Sequence, residues 1–102
     1  MDSILKNIIQ PLNIYVVRMQ VDSSVNLDQF SENILDIVSH NVAKYRKLKG
    51  YSQMQLALDI GMSGGAYLGR AEIRKDNHHF NLIHLAKISK VLDIDITEFF
   101  KE

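Results

Sequence analysis

Seven cations crowd one stretch of the chain. Lys44, Arg46, Lys47, Lys49, Arg70, Arg74 and Lys75 fall between residues 44 and 75, against only Asp59 and Glu72. The whole chain is neutral, with 12 basic and 12 acidic residues, so this local excess of five (seven against two) is balanced by acid elsewhere. Ammonium and guanidinium groups at that density can neutralise the phosphates of a polyanion and release its condensed counterions. A solvated helix face has a similar composition, so charge by itself does not decide the matter.

Other chemistry is harder to assemble. There is no cysteine, which excludes a thiolate metal site or a disulfide framework. His78, His79 and His84 match no common zinc spacing and have few carboxylates near them. His40 is expected to be structural or exposed. No nucleophile elbow occurs, and Gly64-Gly65 opens a helical segment without the preceding strand that a nucleotide loop needs. No catalytic residue, metal or cofactor is expected, and the chain is not expected to be an enzyme.

The elements that must carry the cations can be read from periodicity and caps. Phe30, Ile34, Ile37, Val38, Val42, Tyr45 and Leu48 recur at steps of three and four, which predicts one long helix. Gly50 ends it by accepting a left-handed conformation, and Lys44, Arg46, Lys47 and Lys49 lie in its last turns. Ser52 caps the next helix, Gln55 completes a capping box, and Tyr51 staples against Leu56. Gly61 closes this helix. A third starts at Ser63 or Gly64 and carries Tyr67, Leu68 and Ala71. Arg74 to His79 reads as a polar loop. Asn81 caps a fourth helix with Leu82, Leu85, Ala86, Ser89 and Leu92 inward. Asp95 and Glu98 box a final turn bearing Ile96, Phe99 and Phe100.

The most informative run is Ser52-Gln-Met-Gln-Leu-Ala-Leu-Asp-Ile-Gly-Met-Ser63. Two short helices that cross steeply need a small residue at the contact, which Ala57 provides. The turn between them needs positive φ, which Gly61 provides. Met62 plugs the angle as a packing residue, as Met54 does elsewhere, and Ser63 caps the second helix. That order is the helix-turn-helix pattern, in which the second helix enters the major groove.

On these residues the chain resembles the Cro/cI-like (XRE-type) helix-turn-helix family over about residues 33 to 100. The resemblance runs through Lys44-Tyr-Arg-Lys-Leu-Lys-Gly-Tyr-Ser-Gln53, Leu56-Ala57, Gly61-Met-Ser63, Tyr67-Leu-Gly-Arg-Ala-Glu72, Phe80-Asn-Leu82, Leu85-Ala-Lys-Ile88, Leu92-Asp-Ile94 and Ile96-Thr-Glu-Phe-Phe100. It implies a five-helix, lambda-repressor-like domain that binds operator DNA as a dimer and mostly represses transcription. It further implies a phosphate contact for Gln53 and a structural role for Glu72. The chain departs from the family's common form by one extra residue between Ser63 and Tyr67 and by a longer loop before Asn81. Gly64-Gly65-Ala66 also lacks long polar side chains, and glycine cannot make a bidentate base contact. Either the backbone there approaches phosphates, or preference comes from Arg70 and DNA shape.

The fold expected is all-α, with a short N-terminal β-strand element. Leu12 to Val21 is rich in β-branched residues and alternates at Tyr15, Val17, Met19 and Val21. Residues 1–25 are expected to be a strand-containing extension serving dimerisation, and residues 26–102 the DNA-binding domain. The expected partners are double-stranded DNA and a second copy of the chain. The expected contacts are Lys44, Arg46, Lys47, Lys49, Ser52, Gln53, Ser63, Gly64, Gly65, Ala66, Tyr67, Gly69, Arg70, Arg74 and Lys75. Tyr67, like Tyr45, fits a core position equally well. No apolar run reaches the roughly 18 residues of a membrane span, and a cytoplasmic location is expected. A protein-interaction module of the same fold, such as an antitoxin or anti-regulator, is the alternative.

Overall fold

The computed structural model of the chain describes residues 24–102, where four α-helices and two 3₁₀ turns make up the regular structure. The helices are α1 (Leu27–Leu48), α2 (Gln53–Asp59), α3 (Ala66–Glu72) and α4 (Leu82–Leu92). The turns are Lys75–Asn77, between α3 and α4, and Ile96–Phe100 after α4. The chain divides into two units, Met1–Phe30 and Ser31–Glu102. Within the first, Asn26 Oδ1 accepts the Gln29 N–H at 2.9 Å and so caps the start of α1. The strand expected over Leu12 to Val21, with nearly all of the 1–25 extension, lies outside the described residues.

In the second unit one apolar cluster joins all four helices. It combines Val38 and Val42 of α1, Leu56 and Ala57 of α2, Leu68 and Ala71 of α3, and Leu85, Ile88 and Leu92 of α4. Ile60, Phe80 and Phe99 complete it, and Tyr45, Tyr51 and Met62 pack against it. The punctuation falls where the side chains dictate. Gly50 and Gly61 sit at φ +79° and +92°, and Ser52 Oγ accepts the Gln55 N–H at 3.0 Å. At Asn81 the box is reciprocal. Its Oδ1 accepts the His84 N–H at 2.7 Å, and its own N–H donates to His84 Nδ1 at 3.1 Å.

Several expectations need correction. The apolar stripe of α1 is rotated: Phe30, Ile34 and Leu48 are exposed, while Ser39, Asn41 and Arg46 are buried beside Val38 and Val42. Polar side chains won those places because each of two has buried partners to satisfy. Arg46 meets Glu72, and Asn41 Nδ2 donates to the carbonyls of Phe99 and Lys101 at 2.9 and 2.7 Å. On α4 the inward row is Leu85, Ile88 and Leu92, and Leu82 is exposed. Helix α3 begins at Ala66 rather than at Ser63 or Gly64, with Gly65 as a cap that offers no side-chain bond. The fifth helix is a five-residue 3₁₀ turn, too short to repay the nucleation of an α-helix. Asp95 binds Thr97 there, through its N–H at 2.9 Å and its hydroxyl at 2.7 Å. Glu98 instead accepts from Tyr45 Oη and Lys101, so no capping box forms.

The loop after α3 is more ordered than its polar composition suggests. Arg74, Asp76 and Asn77 all have positive φ, between 52° and 63°, a conformation costing L-residues about 1 kcal/mol or more each. Arg74 holds it in place. Its Nε donates to the His78 carbonyl at 2.9 Å, and its two Nη atoms pair with Glu32 at 2.6 Å and Asp36 at 2.9 Å on α1.

Neighbouring residues on α1 therefore make opposite contributions. Asn41→Ala strands two carbonyls and should lower the unfolding free energy by about 1–3 kcal/mol. Ser39 Oγ is buried without a hydrogen-bond partner, so Ser39→Ala should leave stability unchanged or raise it by up to about 1 kcal/mol. Urea midpoints of the two variants and the parent test this; a Ser39→Ala loss matching that of Asn41→Ala would contradict it.

Candidate nucleic-acid interface

Two short helices and their turn form the framework of the site. Ala57 is fully buried, so α2 presents no bulk where it is crossed. The Met62 N–H returns to the Ala57 carbonyl at 2.8 Å, closing the turn around Gly61. Gly65 then lies against α2 itself. A Cβ there would stand 3.3 Å from Met54 N, so that the backbone would have to give by a few tenths of an ångström, and 3.4 Å from Gln53 C. The Gly64-Gly65 pair thus has a packing reason at its second member. Leu68 and Ala71 anchor the inner face of α3, leaving Ala66, Tyr67 and Arg70 on its exposed side.

The cations separate into two groups. Arg46 is buried: its Nε and Nη2 donate to the two carboxylate oxygens of Glu72 at 2.6 and 3.1 Å, and Nη1 donates to the Tyr51 carbonyl at 2.7 Å. Arg74 is committed to Glu32 and Asp36. Arg46 is thus buried in an ion pair and Arg74 is held in two, which sets both apart from the exposed cations of the expected set. Lys47, Lys49, Arg70 and Lys75 are exposed and carry no ion pair among the described residues. Lys44 Nζ sits 5.1 Å from the Tyr45 ring centroid.

An open groove lies alongside α3. It brings together Ser63, Gly64, Ala66, Tyr67 and Arg70 from the expected set and adds Met62 and His84. Ser63 faces this groove instead of capping α3. Ser52 is occupied as the cap of α2, and Gln53 is exposed, with its amide lying over the half-buried Gly69. Tyr67 is pinned. Its hydroxyl donates to the His79 carbonyl at 2.9 Å, and its ring meets His78 edge-on at 5.1 Å and His84 tilted at 5.5 Å. Sequence reasoning passed over His84 as a groove residue. The signal was present, since Asn81-x-x-His84 has capping-box spacing at the start of α4.

His84 is also the histidine that lines the groove. Burial, then Lys87 and His79, push its pKa below the ordinary histidine value. The cap explains what protonation would disturb, because Nδ1 must remain an acceptor for the Asn81 N–H. Among the described residues no group of three or more His, Asp or Glu is placed to hold a metal ion, and no helix is long and apolar enough to cross a membrane. Comparison with family models, curated proteins and solved structures gives no match for this chain.

The lowered pKa of His84 fixes a sign. The unfolded chain takes up the proton more readily, so the His84 contribution is complete above about pH 6.5 and declines as pH falls below that value. His84→Gln keeps a capping side chain without the titration. Its urea midpoint should therefore drop less than that of the parent between about pH 7.5 and pH 5.5. Equal drops would refute the assignment.

Proposed function

We propose that the chain is a sequence-specific DNA-binding regulator of transcription, a repressor acting as a homodimer in the cytoplasm. On this reading α2 and α3 are a helix-turn-helix pair of the Cro/cI-like, lambda-repressor-like type, and the Ile96–Phe100 turn occupies the place of the fifth helix. The observation that carries it is the state of α3. Its inner face is fixed to α2 by Gly65, Leu68 and Ala71, while Arg70 stands exposed and unpaired on the outer face beside an open groove. A guanidinium presented from a rigid helix is the commonest reader of guanine O6 and N7 in the major groove. Small neighbours at Gly64 and Ala66 leave it room. Lys47, Lys49 and Lys75 supply exposed charge for phosphates, which position a protein on DNA without reading its sequence.

Two apolar side chains favour a second reading. Leu82 and Ile83 are 69% and 65% exposed side by side in the first turn of α4, which accords with a protein-interaction module such as an antitoxin or anti-regulator. On that reading duplex binding is weak or absent.

Selection of bound duplexes from a random pool, followed by titration at several salt concentrations, separates the two. DNA binding predicts a recoverable consensus and steep salt dependence. Lys47→Ala and Lys49→Ala should each weaken all sequences alike and reduce the salt slope by about one. Arg70→Ala should relax preference at one base pair by about 1–3 kcal/mol. An absence of duplex binding by folded protein at low salt would overturn the proposal, and an unchanged consensus in Arg70→Ala would overturn the role of Arg70.

A further inference from the structure

Gly69 occupies the middle of α3, where glycine costs about 1 kcal/mol relative to alanine. Nothing in the backbone calls for it, because its φ is not among the positive values. The reason lies outside the helix. A Cβ built at Gly69 would meet Gln53 Oε1 at 3.1 Å, Gln53 Cδ at 3.5 Å and Gln53 Nε2 at 3.5 Å, and these are its three nearest neighbours. The missing side chain is the seat on which the Gln53 amide lies.

The other end of that amide is tethered. Gln53 Nε2 donates to Glu72 Oε1 at 2.9 Å. The same carboxylate is neutralised by Arg46 through Nε at 2.6 Å and Nη2 at 3.1 Å. A carboxylate accepts hydrogen bonds and cannot donate them, so it fixes which way round the amide stands. The NH₂ group faces Glu72 and the carbonyl oxygen faces Gly69. One N–H of the NH₂ is used by Glu72 and the second remains, on a residue that is exposed. An untethered amide would present its carbonyl about as readily as its NH₂, and a carbonyl repels an anion.

We propose that Glu72 and Gly69 are positioning residues that make Gln53 a fixed donor toward a backbone phosphate of duplex DNA. The inference rests on the DNA-binding reading and deepens it. An acid buried behind the surface thereby serves anion binding, because its charge is cancelled by Arg46 while its acceptor geometry orients the donor in front of it. Gly69 keeps the amide down on α3. A methyl group there would lift it by a few tenths of an ångström against its bond to Glu72.

The full chain tests this by a double-mutant cycle on its selected duplex. Gly69→Ala replaces glycine by a better helix former, so its thermal midpoint should not fall. Its dissociation constant should nevertheless rise several-fold, approaching the roughly tenfold loss expected of Gln53→Ala when one hydrogen bond to a charged group is removed. In the Gln53→Ala background Gly69→Ala should have no further effect, since no amide is left to displace. Gln53→Lys, which donates in any orientation, should bind without depending on residue 69. If the parent binds DNA and Gly69→Ala binds equally well, or costs the same in both backgrounds, the positioning role is overturned while DNA binding stands. If the parent binds no duplex at low salt, both fall together.

Discussion

The guanidinium of Arg46 and the carboxylate of Glu72 are buried together, with side-chain exposures of 9% and 4%. Removing one partner of such a pair leaves an uncompensated charge in a low-dielectric site and typically costs about 3–5 kcal/mol. The pair therefore fixes the end of α1 against the end of α3. Arg46 Nη1 also takes the Tyr51 carbonyl, which sets the path of the chain into α2, and Glu72 takes the amide of Gln53. Three helices receive their relative placement from four hydrogen bonds around one ion pair. The apolar cluster then fills in, with Val42, Leu56 and Ala71 all fully buried.

Close packing of α2 and α3 follows from what is missing at two glycines. Gly65 lets the start of α3 approach the backbone of Met54, and Gly69 lets the amide of Gln53 lie on the helix. Small residues are thus consumed by the α2–α3 contact, while Leu68 and Glu72 point inward and Arg70 is left on the outer face. Tyr67 shares that outer face but is tied down. Its contacts with His78, His79 and His84 make it the link by which α3, the loop and the start of α4 support one another.

Features governed by local geometry were legible in the sequence. Gly50, Gly61, Ser52 and Asn81 each act within a few residues of their own position: the two glycines take positive φ, and Ser52 and Asn81 cap α2 and α4, with the reciprocal box formed at Asn81. Ala57 was legible for the same reason. Partners distant in sequence were not. Arg46 looks like any other cation of a basic helix end, and only the fold reveals an acid 26 positions away. Arg74 was misassigned in the same way, since Glu32 and Asp36 stand about forty residues earlier. The face of α1 was misjudged because periodicity counts apolar residues, whereas Asn41 and Arg46 are drawn inward by hydrogen bonds. Five of the seven residues lining the candidate groove were visible beforehand, from Ser63 to Arg70. His84 was not, because its capping role and its place beside Tyr67 belong to different parts of the chain.

The two carbonyls held by Asn41 bear on how the protein is made. Phe99 is fully buried in the same core as Val38 and Val42, and Asn41 binds the chain again at Lys101, sixty residues later. A ribosome delivers α1 well before these partners. Until Phe99 and Lys101 have been made, the core that Val38 and Val42 share lacks one of its largest side chains, and the amide of Asn41 has only water to bind. Val38 and Val42 can meet α2, α3 and α4 in the meantime, but the core is not yet complete. The pairing that completes it joins residues about sixty positions apart, and contacts of that separation are slow to form.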